Sequence, residues 1–303
     1  MATLRLTVET ITPLLMFGAD QREPELRGSA FRGQLRYWLR AVLGAEHTSS
    51  PALYEAESQI MGSTETGSKV VVRVQASRSM HPDYPLYVMP RETRGRPLKQ
   101  DGFEPGGEFR IILSTHPLDA SGVLDAESPL VKAIFLLAHV GGLGRRARRG
   151  SGNLRIIEAR GYKGELPLAP QLDDRDHLRE YLVALCEFIG TRTIGHRPRF
   201  ATFAPDTTVV LLGNTTYTTH EDAFADLWST SGPYHDAHGI FGAIRPRRAS
   251  AIHMRLHVTQ AGYVPMQTIF YADNGAWDEM RDYIQHCRGE GYEQVYGDAG
   301  GWS

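Results

Sequence analysis

The first strand-like segment is written in alternation. Leu4, Leu6 and Val8 are apolar, whereas Thr3, Arg5, Thr7 and Glu9 are polar, which predicts a strand with one buried face. After Pro13 and a loop containing Gly18 the period changes. Phe31, Leu35, Trp38, Leu39, Val42 and Leu43 recur at helical spacing, with Ser29 as the expected N-cap and Gly44 just past the end. Lys69–Ala76 predicts a strand with Val70, Val72 and Val74 on one face. Phe109–Ser114 predicts another after the Pro105-Gly106-Gly107 turn. His81–Pro105, rich in Pro, Arg and Gly, reads as a long irregular excursion. Leu130–Val140 is apolar nearly all round, the pattern of a buried helix, and Leu154–Glu158 returns to strand character. The order strand, helix, strand, strand, helix, strand is the ferredoxin-like plan.

Gly161–Pro170 is a Pro/Gly connector and the expected boundary between domains 1–160 and 161–303. Beyond it, Asp173–Gly190 predicts an amphipathic helix with Leu178, Tyr181, Leu182, Leu185 and Ile189 inward. Thr207–Leu212 and Val264–Tyr271 predict strands, and Glu221–Trp228 and Trp277–Cys287 predict helices. Ala251–Val258 alternates, placing Met254, Leu256 and Val258 on one face and His253, Arg255 and His257 on the other. A second, less regular ferredoxin-like unit fits this half, so the expected fold is α+β with two such units. The tail Gly297–Ser303 is expected to fray.

Composition narrows the function classes. With 41% hydrophobic and 22% charged residues, the 303-residue chain is neither collagen-like, disordered nor membrane-embedded. Its longest apolar run, Ala133–Ala138, is far too short to cross a bilayer, and Met1–Arg5 lacks the pattern of a secretory signal. Two cysteines, Cys186 and Cys287, make neither a disulfide framework nor a four-thiolate zinc site. The expected address is the cytoplasm.

The net charge of −2 conceals an arginine bias. Of 33 basic residues only Lys69, Lys99, Lys132 and Lys163 are lysine, so 29 are arginine. Codon usage would favour arginine everywhere without removing neighbouring acids. Residues 141–160 hold six arginines against the single acid Glu158, and this local excess points to a polyanion. Within it, Gly142, Gly144, Arg145, Arg146, Arg148, Arg149, Gly150 and Gly152 form a loop suited to phosphate, glycines baring backbone N–H groups and arginines adding charge-assisted bonds. No Lys-Ser/Thr follows the glycines, and the loop follows a helix, so it is neither a P-loop nor a dinucleotide fingerprint. The bland alternative is a flexible basic hairpin.

Arg32, Arg36 and Arg40 lie four apart and form one helical row able to track phosphates or to pair with nearby acids. Arg245, Arg247 and Arg248, with His253 and Arg255, make a second cluster on a turn and strand, where single-stranded RNA is received by sheet faces of this plan. His235 and His238 lack further ligands at metal-binding spacing, so no metal and no cofactor are expected. Asp20 reads either as a turn aspartate or as a carboxylate orienting an RNA 2′-hydroxyl.

Three stretches together resemble the RAMP superfamily of CRISPR effector complexes: Thr12-Pro13-Leu14-Leu15-Met16-Phe17-Gly18-Ala19-Asp20; Glu25-Leu26-Arg27 followed by Phe31 to Arg40; and the loop Gly141–Gly152. Within that superfamily they look like the first-numbered subunit of type III-B Cmr complexes. Leu39 stands where that subunit carries a second tryptophan, and Phe17 where it carries a glycine. The resemblance implies a non-catalytic subunit near the 3′ end of the guide RNA (crRNA), contacting guide or target RNA and neighbouring Cmr-type subunits, with no membrane partner. The loop arginines and glycines, Arg32, Arg36, Arg40, Arg247, Arg248 and Arg255 would bind the RNA. The alternative is a metal-independent endoribonuclease using Asp20 or His253.

Overall fold

Alternation in the first residues becomes β1 (Thr3–Thr10), whose Leu4, Leu6 and Val8 are buried while Arg5 is exposed. The computed structural model describes residues 1–47, 49–89, 98–116, 121–195, 198, 200–234, 239–244, 247–271 and 276–298. After β1, α1 (Gly28–Leu43) buries Phe31, Leu35, Trp38 and Leu39 and ends at Gly44. Its N-cap is Arg27, not Ser29, and no side chain caps it. A helix that the sequence pattern does not announce, α2 (Ser50–Met61), packs on α1.

Next come β2 (Val70–Ala76), β3 (Tyr84–Met89), β4 (Leu98–Gly102) and β5 (Glu108–Thr115). Within the expected irregular excursion, β3 pairs antiparallel with β4, while residues 90–97 lie outside the described residues. Pro85 misleads there, because a proline fits a strand that lacks a neighbour on one side. The buried helix α3 (Pro129–His139) leads through the glycine–arginine loop into β6 (Leu154–Arg160). These strands form one antiparallel sheet in the order β2-β5-β1-β6, whose inner face buries Leu4, Leu6, Phe109, Ile111 and Ile156.

The second half begins with α4 (Arg175–Ile189), capped by Asp174, whose side chain accepts the His177 N–H. Then follow β7 (Thr208–Gly213), α5 (His220–Ser231), the short β8 (Ala243–Ile244) and β9 (Arg247–Arg248), β10 (Ile252–Thr259), β11 (Gly262–Phe270), α6 (Trp277–Gly289) and β12 (Tyr292–Tyr296). The last strand falls just before the expected frayed tail and has no clear sequence signal. A second antiparallel sheet runs β10-β11-β7-β12.

This second sheet is buried on both faces. Val209, Leu211, Ile252, Met254 and Leu256 pack with α5 and α6, while Val210, Leu212, Val264, Met266 and Phe270 join the core of the first half. The His253/Arg255/His257 face, expected to be open, is therefore interior.

Candidate nucleic-acid interface

The glycine–arginine loop is tied down rather than hanging free. The Arg145 N–H donates to the Leu15 carbonyl (2.7 Å), the Gly152 N–H to Pro13 (2.9 Å) and the Leu143 N–H to Gly152 (2.9 Å). Thr12 Oγ1 donates to the Gly150 carbonyl (2.7 Å) and accepts the Asn153 N–H (2.9 Å). The Thr12-Pro13-Leu14-Leu15 stretch is thus the clamp on the loop, and two distant sequence motifs are halves of one joint.

Two glycines explain themselves. At Gly144 (φ +78°) an added Cβ would lie 2.3 Å from the Leu15 carbonyl oxygen, and at Gly152 (φ +65°) 2.0 Å from that of Leu143. The expectation that the glycines cradle phosphate fails for Gly142, Gly150 and Gly152, which are buried. Gly144, half-buried, presses on the Leu15 carbonyl for the same reason. In this arrangement glycine serves close packing of backbone on backbone.

The other side of the loop meets β10. The Met254 N–H donates to the Arg148 carbonyl (3.2 Å) and the Leu256 N–H to Asn153 Oδ1 (2.9 Å). Arg255 is 0% exposed and donates to the carbonyls of Gly141 (2.5 Å) and Leu154. Burial lowers its pKa to about 9. Arg255 is therefore no RNA ligand here, since its donors are spent joining the two halves. His253 is buried as well, within 3.1 Å of the Tyr37 hydroxyl, and burial holds it well below its ordinary value, so it is no solvent-reaching acid or base.

The four loop arginines are disposed differently. Arg145 is exposed, lies 4.7 Å from the Phe17 ring centroid and donates to the side chains of Gln21 and Gln100. Arg146 has a left-handed backbone (φ 60°), unusual outside glycine, and burial lowers its pKa. Arg148 sits 4.9 Å over Tyr37 and donates to the Ser250 carbonyl. Arg149 sits 4.8 Å over Phe241 and donates to that residue's carbonyl (2.5 Å); burial brings its pKa down to about 10. Among the described residues Arg145, Arg146 and Arg148 form no ion pair with a carboxylate. Ring faces and carbonyls support these cations without cancelling their charge.

The helical row is engaged in packing contacts instead. Arg36 and Arg40 both pair with Glu57 on α2, which is buried, Arg40 at 2.7 Å. Arg32 donates to the Met61 and Val70 carbonyls. All three hold α2 and β2 against α1, so none is a free phosphate contact. Asp20 closes a turn, its carboxylate accepting the Arg22 N–H at 2.8 Å. The side chains of Arg247 and Arg248 lie outside the described residues, as do Arg245, His235 and His238. Among the described residues no cluster of metal-binding side chains occurs.

Sequence reasoning missed Phe17 and Phe241 as guanidinium platforms and Glu57 as counter-ion. Tyr37, inside the Arg-Tyr-Trp run, was within reach of it.

Two antiparallel sheets joined through a clamped glycine–arginine loop define an α+β class of protein. The model of the RAMP superfamily matches residues 7–155. The CRISPR system Cmr subunit Cmr1-2 of Pyrococcus furiosus is 33% identical over 178 residues, 49% of this chain and 92% of that protein. Subunit Cmr1-1 of the same organism is 26% identical over 208 residues, 60% of this chain and 56% of that protein. The solved apo form of Cmr1 from Pyrococcus furiosus shares the fold over 100% of both chains, with a TM-score of 0.66 at 17% identity. A chain of the type III-B Cmr-beta complex bound to cognate target RNA matches with a TM-score of 0.62 at 9% identity, over 94% of this chain and 99% of that one. The chain belongs to the RAMP superfamily and, within it, to the Cmr1 family.

Proposed function

We propose that this chain is a non-catalytic, RNA-binding subunit of a type III-B Cmr effector complex in the cytoplasm, seated near the 3′ end of the guide RNA. It contacts guide or arriving target RNA and neighbouring Cmr subunits. Membership of the Cmr1 family and fold likeness to a chain of a target-bound Cmr complex support this reading. We also read both halves, divided near residue 160, as ferredoxin-like. Counting β1, β2, β5, β6 and then β7, β10, β11, β12 as strands one to four, each sheet runs two-three-one-four.

The observation that carries RNA binding is the charge left on the loop. Arg145 is exposed and held by glutamine amides and a phenyl ring, weak partners that a phosphate oxygen replaces with gain. Arg146 beside it has no carboxylate partner among the described residues. Such a surface holds backbone and leaves sequence reading to base pairing. Of the two cleavage candidates, His253 is interior and the Asp20 carboxylate closes a turn, which favours the non-catalytic reading.

The test is titration of the purified chain with guide RNA over a range of salt. Arg145→Gln with Arg146→Gln should reduce the slope of log K against log salt by about 1.4–1.8, at roughly 0.7–0.9 per phosphate contact. An unchanged slope removes the loop from the interface, and scission of the RNA by the purified chain overturns the non-catalytic role.

A further inference from the structure

The outer face of the first sheet is open. Across it, Arg73, Ile112, Arg5 and Arg160 share one rung, and Gln75, Arg110, Thr7 and Glu158 the next. Glu108, Glu9 and Arg155 form a third rung. Arg5, Arg73, Arg110, Arg155 and Arg160 are all exposed, five arginines facing three glutamates, with no lysine. Glu9 pairs with Arg155 and Glu158 with Arg160, each at 2.7 Å. Arg5, Arg73 and Arg110 form no ion pair among the described residues.

The face also displays Val71 at 49% and Ile157 at 37% exposure, two of the four most exposed large hydrophobic side chains described. Beside β6, Arg155 and Ile157 also line a cleft of about 240 Å³ whose walls include Ile11, Pro170, Leu172 and Val258.

We propose that this face and the adjoining cleft form a protein-docking surface for a carboxylate-rich, apolar-centred surface of a neighbouring subunit; the proposal rests on the complex reading above. Nucleic acid fits the face poorly. Sheets that receive single-stranded RNA stack bases on aromatic side chains, and this face carries none. Phosphates would also gain nothing from Val71, Ile112 and Ile157. Protein interfaces, by contrast, combine arginine with apolar residues and are depleted in lysine.

Size decides the role of the cleft. Four strands of about seven residues cover roughly 20 Å by 20 Å, or about 400 Å². A stable interface takes about 800 Å² per partner, so the sheet alone would give only a transient contact. The cleft is below the roughly 300–1,000 Å³ usual for small-molecule pockets, and suits an anchoring side chain of the partner.

The experiment reconstitutes the assembly from the other Cmr subunits of the same system, guide RNA and this full chain. R5E/R73E and I157E alter exposed positions only. Each should lower incorporation at least tenfold without lowering the thermal unfolding midpoint of the isolated chain and with its RNA affinity within error. Wild-type incorporation with both variants incorporated equally well overturns the docking proposal alone. A loss of RNA affinity in the isolated variants that matches the loss of incorporation also overturns it, by making the face an RNA surface. Failure of the wild type to enter any assembly overturns the complex reading and the docking surface together.

Discussion

The two sheets have one strand order and opposite surroundings. In the first, polar residues alternating with Leu4, Leu6 and Val8 reach solvent as arginines and glutamates. In the second, the residues alternating with Met254 and Leu256 are polar and buried: His253, Arg255 and His257. Alternation identifies a strand and its two faces, but not whether the polar face meets water or another part of the protein. What permits burial is a supply of acceptors. The loop presents the Gly141 carbonyl and β6 the Leu154 carbonyl to Arg255, and the His139 carbonyl lies 2.9 Å from His257 Nε2.

The sharpest contrast between the faces comes from their arginines. Arg255→Met removes the close donor from two buried carbonyls, Gly141 keeping only the longer bond from the Asn153 amide (3.5 Å), at roughly 1–3 kcal/mol each, so about 4 kcal/mol in all. Urea unfolding of the full chain measures this. If the variant unfolds at the wild-type midpoint, Arg255 does not fasten the halves.

Acid separates the faces next. His139, His253 and His257 lie in the seam, and burial lowers the pKa of all three, with the Arg255 charge adding to the effect on His139 and His257, and the Arg148 charge to that on His253; His139 falls to about 3. Unfolded, each takes a proton near 6.5, so below that value the unfolded chain binds more protons. The stability of the seam is whole above about pH 6.5 and drains as pH falls toward 3. For His139 alone the loss reaches about 2 kcal/mol by pH 5, at about 1.4 kcal/mol per unit. His139→Gln, which keeps a polar end toward Tyr181, should flatten the dependence of Tm on pH between 6.5 and 5. An equally steep profile would exclude His139 as a cause.

In the first half, the elements that were legible have local signals. Alternation in β1, the helical period of α1 and the all-apolar α3 each declare themselves within a dozen residues. The loop was recognised by its glycines, yet their work was misread: the chain cannot say that Leu15 and Leu143 carbonyls press on positions 144 and 152. Arg32, Arg36 and Arg40 were correctly placed in one row. The ion pairs of Arg36 and Arg40 depended on Glu57, on a helix whose weak amphipathic pattern hid it. Long-range pairing was the recurring blind spot, and each arginine that left the candidate interface did so through a partner distant in sequence.

The smallest effect reverses the sign. Arg5 stands directly across from Arg160 on the open face, and like charges opposed on a sheet repel. The Glu158 carboxylate relieves Arg160 only in part, because both are exposed and solvated. Arg5→Gln should therefore raise Tm by roughly 1 °C at low salt, and the gain should fade at about 0.5 M salt, where screening acts within a few ångströms. A surface kept at a small cost in stability is one whose charge serves something outside the chain. If Arg5→Gln instead lowers Tm as Arg255→Met does, the two faces are alike and the contrast between them is void.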